Sequence, residues 1–325
     1  MFVIVIYVFL VYVTYQVYKH FFPQPDVNSQ GKYVLISGCD SGFGNALAIE
    51  LDKRGFNVLA GIFGEQSREA LTTTLSARAT VFSIDISKED QINSAYEIVK
   101  DKTNVLHALV NNAGICENGL IDWTSMDTMR KLMDVNFFGH VAMTKKFLPL
   151  LIAKRDSRVI NVSSIAGFLA EPSMAAYSAS KYALESFSDC LRREMAVWGL
   201  RVSIIEPGAM RTQIVEELDL AARKQWVSVP DDVKERWGEE FFQHQVKKLE
   251  KNTVLKMAEN PNKVVEALRH AIMNTCPEIR YRPGWQSSLI FFPLSMCPAW
   301  FIDFLMEIGR DKSVNPAGVR KQLTD

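Results

Sequence analysis

Tyr177 and Lys181 stand four residues apart in Tyr-Ser-Ala-Ser-Lys, a spacing that stacks the two side chains on one face of a helix. An ammonium can then sit beside a phenol. A free tyrosine titrates near pH 10, so roughly 4 kcal/mol of preferential phenolate stabilisation is needed to make it a base near neutrality. An adjacent cation is a direct source of that energy. Ser164 stands at the end of the strand-like run 158–163, and its hydroxyl can hydrogen-bond an oxygen whose proton the tyrosine removes. The three read as a general base, its activator and an orienting donor. Taken alone, Tyr-x-x-x-Lys is common on ordinary helices; its meaning depends on the rest of the chain.

Those residues need a frame. Residues 32–37 form an apolar strand that runs into Gly38-Cys-Asp-Ser-Gly-Phe-Gly44 and then a helical pattern over 45–54. A strand, a glycine-rich turn and a helix make a phosphate-binding unit: glycines admit the pyrophosphate and the helix N-terminus stabilises its charge. The spacing is Gly-x-x-x-Gly-x-Gly, and a plain strand-to-helix connection is the competing reading. Strands follow at 56–63, 80–84 (ending at Asp85), 105–110 (ending in Asn111-Asn-Ala-Gly114), 158–163 and 200–206, with helices at 67–77, 88–102, 126–151 and 174–198. This alternation predicts an α/β fold, a doubly wound parallel sheet covered on both faces. Ligands of such sheets bind at the strands' carboxyl ends, where Gly38 to Gly44, Asp85, Asn112 to Gly114 and Ser164 all fall.

Ser37-Gly-Cys-Asp-Ser-Gly-Phe-Gly, Asp85, Asn111-Asn-Ala-Gly, Asn136 in Val-Asn-Phe-Phe-Gly, Ser164, Tyr177-Ser-Ala-Ser-Lys181 and Pro207-Gly208 stand in an order and spacing that resembles the short-chain dehydrogenase/reductase family over residues 32–283. The glycine turn, the apolar amino terminus and Arg280-Tyr-Arg-Pro-Gly look more narrowly like its membrane-bound retinol and hydroxysteroid dehydrogenase branch, which in turn resembles 3-hydroxybutyrate dehydrogenase. The resemblance implies a Rossmann-type domain. It implies that Gly38, Ser41, Gly42, Phe43 and Gly44 cradle a nicotinamide dinucleotide, that Asp85 meets its adenine and that Asn112, Ala113 and Gly114 border the ribose. Lys181 would also hold the nicotinamide ribose, with Tyr177 beside it, and Pro207, Gly208, Met210 and Thr212 would line the nicotinamide end. Asn136 would interrupt its helix to hold a water in a proton relay with Lys181, completing an Asn136, Ser164, Tyr177, Lys181 catalytic set. Residues 209–253, with Trp226, Trp237, Phe241 and Phe242, would be a helical lid; an amphipathic surface helix pair is a compatible reading.

NADP brings a 2′-phosphate that wants a cation, whereas NAD offers a hydroxyl to an acidic group. Asp40, Ser41, Ile62, Phe63, Gly64 and Glu65 occupy the relevant stretch and none is basic. The family's NAD-selecting Asp after the second strand is missing, leaving Glu65 as a substitute and Arg68 as the one nearby cation. NAD is therefore expected over NADP. Ser164, Ile165, Phe168, Met174 and Tyr177 are expected at the substrate, and the apolar ones suit a greasy alcohol. The expected activity is oxidation of a lipophilic retinoid or hydroxysteroid alcohol. A short hydroxy acid is the enzyme alternative and would need Arg211 or Lys224 for its carboxylate; a catalytically silent dinucleotide-binding scaffold is the alternative of another class.

The 325 residues carry 37 basic and 37 acidic side chains, so no overall field favours nucleic acid. Five cysteines without a Cys-x-x-Cys pair read as free thiols, with no metal site. Residues 1–18 hold no charge and as a helix would be roughly 27 Å long, enough for a bilayer core. Lacking a positive start and a cleavage site, the run is expected to be an uncleaved anchor, tyrosines marking the interface; a buried helix is the competing reading. An endoplasmic reticulum membrane is expected, a mitochondrial one being the alternative. Residues 19–30 read as a linker and 31–285 as the catalytic domain, with a possible homodimer. Residues 286–325 are an apolar segment that lies on the membrane, shields the substrate mouth or packs on a domain.

Overall fold

The strands of this chain are mostly apolar because helices cover the sheet on both sides. The computed structural model describes residues 24–212, 218–308 and 313–324, and before them only Tyr7, Leu10, Val11, Val13, Thr14, Phe21 and Phe22. Seven strands, β1 (Tyr33–Ser37), β2 (Asn57–Ile62), β3 (Thr80–Ser83), β4 (Ala108–Asn111), β5 (Arg158–Val162), β6 (Arg201–Ile205) and β7 (Arg280–Tyr281), form one parallel sheet ordered β3-β2-β1-β4-β5-β6-β7. The chain reverses its direction of travel between β1 and β4, which opens the crevice where ligands bind in such sheets.

Helices α1 (Gly42–Lys53), α2 (Arg68–Thr74), α3 (Glu89–Lys102), α4 (Met126–Met133), α5 (His140–Ile152) and α6 (Ala175–Glu194) connect these strands. Strand periodicity sends alternate side chains to opposite faces. In β1, Val34 and Ile36 join a core with Leu47 and Leu51 of α1, whereas Leu35 joins one with Val99 of α3 and Phe147 of α5. The stretch 126–151, expected to be one helix, is split: Asp134–Gly139 is a π-helical turn between α4 and α5. β4 starts at Ala108 rather than 105, because the amide of Leu106 is taken by the Leu150 carbonyl instead of a strand neighbour.

After β6 come α7 (Leu218–Ser228), α8 (Asp231–Trp237), α9 (Glu239–Glu250) and α10 (Thr253–Lys256), then α11 (Asn262–Met273) before β7. These helices have a core of their own with Trp123, in which Trp226 stacks on Phe242 at 4.5 Å and Trp123 meets Trp226 edge-on at 4.9 Å. Beyond β7, a π-helical turn (Gln286–Phe291), α12 (Phe292–Ser295), α13 (Ala299–Ile308) and α14 (Ala317–Thr324) complete the described chain. Gln286 is buried and donates to the carbonyls of Val254 and Met257, so this segment is fastened to the lid's exit. The stretch read as a linker is fastened too: the Val27 amide donates to the Met273 carbonyl at 2.7 Å and Asn274 Nδ2 to the Gln24 carbonyl at 2.9 Å.

Among the described residues no helix is long and apolar enough to cross a membrane. Most of residues 1–18, expected to form the anchor, lie outside the described residues.

Candidate active site

One cavity of about 1630 Å³ runs along the carboxyl ends of β1 to β6, larger than a site for one drug-sized ligand and wide enough for a dinucleotide with a second molecule. Its floor is rigid. Asn111 Nδ2 donates to Thr144 Oγ1 at 3.0 Å and to Asn161 Oδ1 at 2.8 Å, and Asn161 Nδ2 donates to Ser188 Oγ at 2.7 Å. These buried bonds pin β4, β5, α5 and α6 together.

At one end Gly38, Ser41, Gly42 and Phe43 line the cavity. α1 begins with no acidic residue in its first turn and no side-chain cap from Ser41, so its free amides suit an anion. Nothing stands within 4 Å of where a Cβ of Gly42 would be, leaving the backbone open to a pyrophosphate. Gly44 lies behind the lining: a Cβ there would collide with the Gly38 carbonyl and stand 2.5 Å from Asn112 Nδ2. Asn112 in turn donates to the Ser37 and Gly38 carbonyls at 3.0 Å each, tying the end of β4 to the turn. Asn112, Ala113, Gly114 and Asp85 all line the cavity. One Asp85 oxygen is held by the Ser87 amide and hydroxyl at 2.9 and 2.7 Å.

The acidic group beside β2 is Asp40 rather than Glu65. Its carboxylate lines the cavity and accepts from the amides of Phe63 at 2.8 Å and Gly64 at 2.7 Å. Glu65 is turned to Arg68, with Nε at 2.6 Å, and to Ser83; the Arg68 hydrogen bonds, then that of Ser83, bring its pKa down to about 2. Arg68 also donates to Ser83 Oγ and the Val81 carbonyl. Neither Glu65 nor Arg68 lines the cavity.

At the cavity's middle Ser164, Tyr177 and Lys181 converge. Ser164 begins the tight turn Ile165–Gly167, where its Oγ accepts from the Ala166 amide at 3.2 Å, and it faces the Tyr177 phenol closely enough to draw its pKa down by hydrogen bonding. Burial outweighs that effect, and with Cys116 nearby the phenol is held above its ordinary value. Lys181 is 3% exposed; its Nζ donates to the Val162 carbonyl at 2.9 Å and stands 5.7 Å from the Tyr177 ring centre. Burial lowers its pKa to about 8, against the opposing pull of Cys116 and Glu185. The fold thus brings phenol, hydroxyl and amine together, but in the chain by itself the ammonium does not bring the phenol towards neutrality.

Asn136 lies in the π-helical turn, fully buried and behind the lining. Its side chain is occupied: Nδ2 donates to the Ile115 carbonyl at 2.9 Å and Ser180 Oγ at 3.1 Å, and Oδ1 accepts from the Ile115 amide at 2.9 Å. A water relay here would use main-chain groups, which a π turn leaves short of regular partners.

Pro207, Gly208, Met210 and Thr212 line the far side, as do Ile165 and Met174. Phe168, expected at the substrate, packs instead edge-on against Phe292 at 6.3 Å, beside Arg282. Arg211 and Lys224 are exposed and outside the lining. The sequence reading did not single out Asp40 or Cys116 at the cavity; Phe291, Asp303, Met306 and Glu307 close it, in keeping with the alternative that the carboxyl-terminal segment shields the site.

The profile described as short chain dehydrogenase matches residues 32–223. The chain belongs to the short chain dehydrogenase family. As a member of this family it is an oxidoreductase. Relatives within it include 17-beta-hydroxysteroid dehydrogenase type 6 of Bos taurus, 39% identical over 282 residues that cover 85% of this chain and 88% of the relative. Retinol dehydrogenase 7 of Mus musculus is 37% identical over 292 residues, covering 89% and 90%. Among solved structures, a short-chain dehydrogenase from Streptomyces avermitilis superposes with a TM-score of 0.70 at 24% identity, covering 88% of this chain and all of the other. One from Burkholderia phymatum in complex with NAD gives 0.69 at 21% identity, covering 89% and 98%. The family likeness therefore extends over the catalytic domain and beyond the matched profile.

Proposed function

We propose that the protein is an NAD-dependent dehydrogenase that interconverts a lipophilic alcohol of the retinol or hydroxysteroid class with its carbonyl. The convergence of Ser164, Tyr177 and Lys181 in one cavity carries this reading. NAD supplies the hydride acceptor when bound. Ser164 Oγ holds the substrate oxygen against Tyr177, whose phenolate takes the hydroxyl proton while the carbinol carbon gives up its hydride. Lys181 keeps positive charge beside the phenolate and would hold the nicotinamide ribose; Asn136 braces residue 115 behind Lys181. Because the chain alone leaves the phenol high, a bound NAD would supply the remaining positive charge near Tyr177.

Asp40 supports NAD over NADP: a carboxylate fixed beside the ribose accepts from a 2′-hydroxyl and repels a 2′-phosphate. The relatives' names support a retinoid or steroid substrate, and the apolar Ile165, Leu169 and Met174 on the wall suit one. The uncharged first eighteen residues support attachment to a membrane, taken here as that of the endoplasmic reticulum. Trp300, Phe304 and Ile308, exposed on α13, are in keeping with a lipid-facing enzyme.

The test is incubation of purified protein with NAD and a panel of retinol, androgens and 3-hydroxybutyrate, read by absorbance of the reduced cofactor. Retinol or an androgen is expected to be oxidised. Tyr177→Phe should abolish turnover while leaving NADH affinity within about twofold of the parent. Turnover retained in that variant would refute the role of the phenol.

A further inference from the structure

Glu185 stands one helical turn beyond Lys181 on α6, where side chains four apart are neighbours. It is 9% exposed. One carboxylate oxygen lies 3.3 Å from Arg280 Nη2 of β7; burial raises the carboxyl's pKa, and the Ser163 hydroxyl at the end of β5 stands close enough to draw it back down. Gly167 makes the contact possible: a Cβ there would stand 2.5 Å from Ser163 Oγ and 3.1 Å from Glu185 Cγ. The turn bearing Ser164 therefore rests on Glu185 from one side, and the helix bearing Tyr177 and Lys181 carries it on the other. Arg280 is shared, its Nε bonding buried Glu206 at 3.0 Å and its Nη2 bonding Asp189 at 3.1 Å.

We propose that Glu185 is a positioning residue for the reaction: its buried negative charge holds Lys181 in the ammonium form while its carboxylate fixes the Ser163–Ser164 strand end against α6. This rests on the function proposed above. The charged and titratable groups facing Lys181 are Tyr177 and Glu185 on its own helix, Cys116 after β4 and His140 on α5. Those facing Glu185 are Lys181, Arg280, Asp189 and Glu206. Cys116 and His140 are both kept neutral by burial, the thiol pushed up to about 12 and the imidazole down to about 3. Glu185 is then the anion nearest the ammonium along the helix. Removing that negative charge makes proton loss from the Lys181 ammonium easier.

The test compares full-length parent, Glu185→Gln and Ser163→Ala. With the best alcohol of the retinol and androgen panel, kcat/KM is followed from pH 6 to 10. In parallel, the pH dependence of NADH affinity is read by tryptophan-to-nicotinamide energy transfer, which needs no substrate. Glu185→Gln keeps the shape and the acceptor oxygen but loses the charge. The Lys181 limb of its rate profile, and the alkaline fall in NADH affinity, are expected to move about two pH units lower, the size given by unit charges roughly 6 Å apart in an effective dielectric of ~20. Ser163→Ala should lower kcat severalfold with the limbs unmoved. A Glu185→Gln profile that loses height without moving, or moves upward, overturns the proposal. If no alcohol of the panel is oxidised by the parent, the proposed function fails, while the NADH titration still decides the role of Glu185.

Discussion

Buried Lys181 carries a cost to the fold, and Lys181→Met should expose that cost. The amine is 3% exposed and titrates at about 8 instead of the ordinary 10.5. At 1.36 kcal/mol per pH unit, holding it charged at pH 7 costs roughly 3 kcal/mol. Methionine fills nearly the same volume without a charge to desolvate. It forfeits the bond to the Val162 carbonyl, worth about 1 kcal/mol, so the variant gains roughly 2 kcal/mol, or about 4 °C in Tm for a chain of this size. The sign follows from linkage. The folded pKa lies below the unfolded one, so between about pH 8 and 10.5 the unfolded chain binds more protons, and the lysine's penalty fades as pH rises through that window. Below pH 8 the penalty is fully present. Melting of cofactor-free parent and variant between pH 6.5 and 10 should show the variant ahead at neutral pH and the two curves converging towards pH 10. A variant that melts below the parent at pH 7, with no convergence, would refute the electrostatic account of this site.

Three further outcomes follow from contacts already described. Asp40→Asn keeps an acceptor for the Phe63 amide but removes the charge; the ratio of kcat/KM for NAD over NADP should fall about tenfold, the loss of roughly 1.4 kcal/mol of discrimination. Asn136→Ala leaves the Ile115 amide and carbonyl buried without partners and should destabilise by about 1–3 kcal/mol in denaturant melts, with kcat reduced more than NADH affinity. Trp226→Ala opens a cavity beside Phe242 and Trp123 in the lid, costing about 3–5 kcal/mol of local packing; KM for a lipophilic alcohol should rise severalfold with NADH affinity unchanged.

Much of this was legible before the fold. Alternating apolar and helical runs placed β1 to β6, because covered parallel strands are strongly apolar: 34–36 and 58–62 contain no polar side chain. The stretch 161–181 placed Ser164 against Tyr177 because both sit at fixed distances from the ends of regular elements. What stayed hidden depends on neighbours brought together by parallel pairing. Asp40 meets the amides at the end of β2 because β1 and β2 lie in register, with Ser37 opposite Gly61; nothing in a linear glycine turn announces that reach, whereas Glu65 is consumed by Arg68, only three residues along the chain. The π turn at 134–139 was foreshadowed only by an asparagine inside a helical run. The closing wall from 291 to 307 could not be placed, since an apolar segment interrupted by prolines is equally suited to several partners.

The fastening of residues 24–27 has a geometric consequence. His107, just before β4, bonds the Ile272 carbonyl at 2.9 Å through Nε2, so the neighbouring carbonyl of Met273, which receives Val27, belongs to the amino-terminal pole of the sheet. The catalytic crevice opens at the opposite pole. Residues 24–27 therefore grip the domain from behind, and under the proposed membrane attachment an alcohol leaving the bilayer would travel around the protein's flank to reach Tyr177.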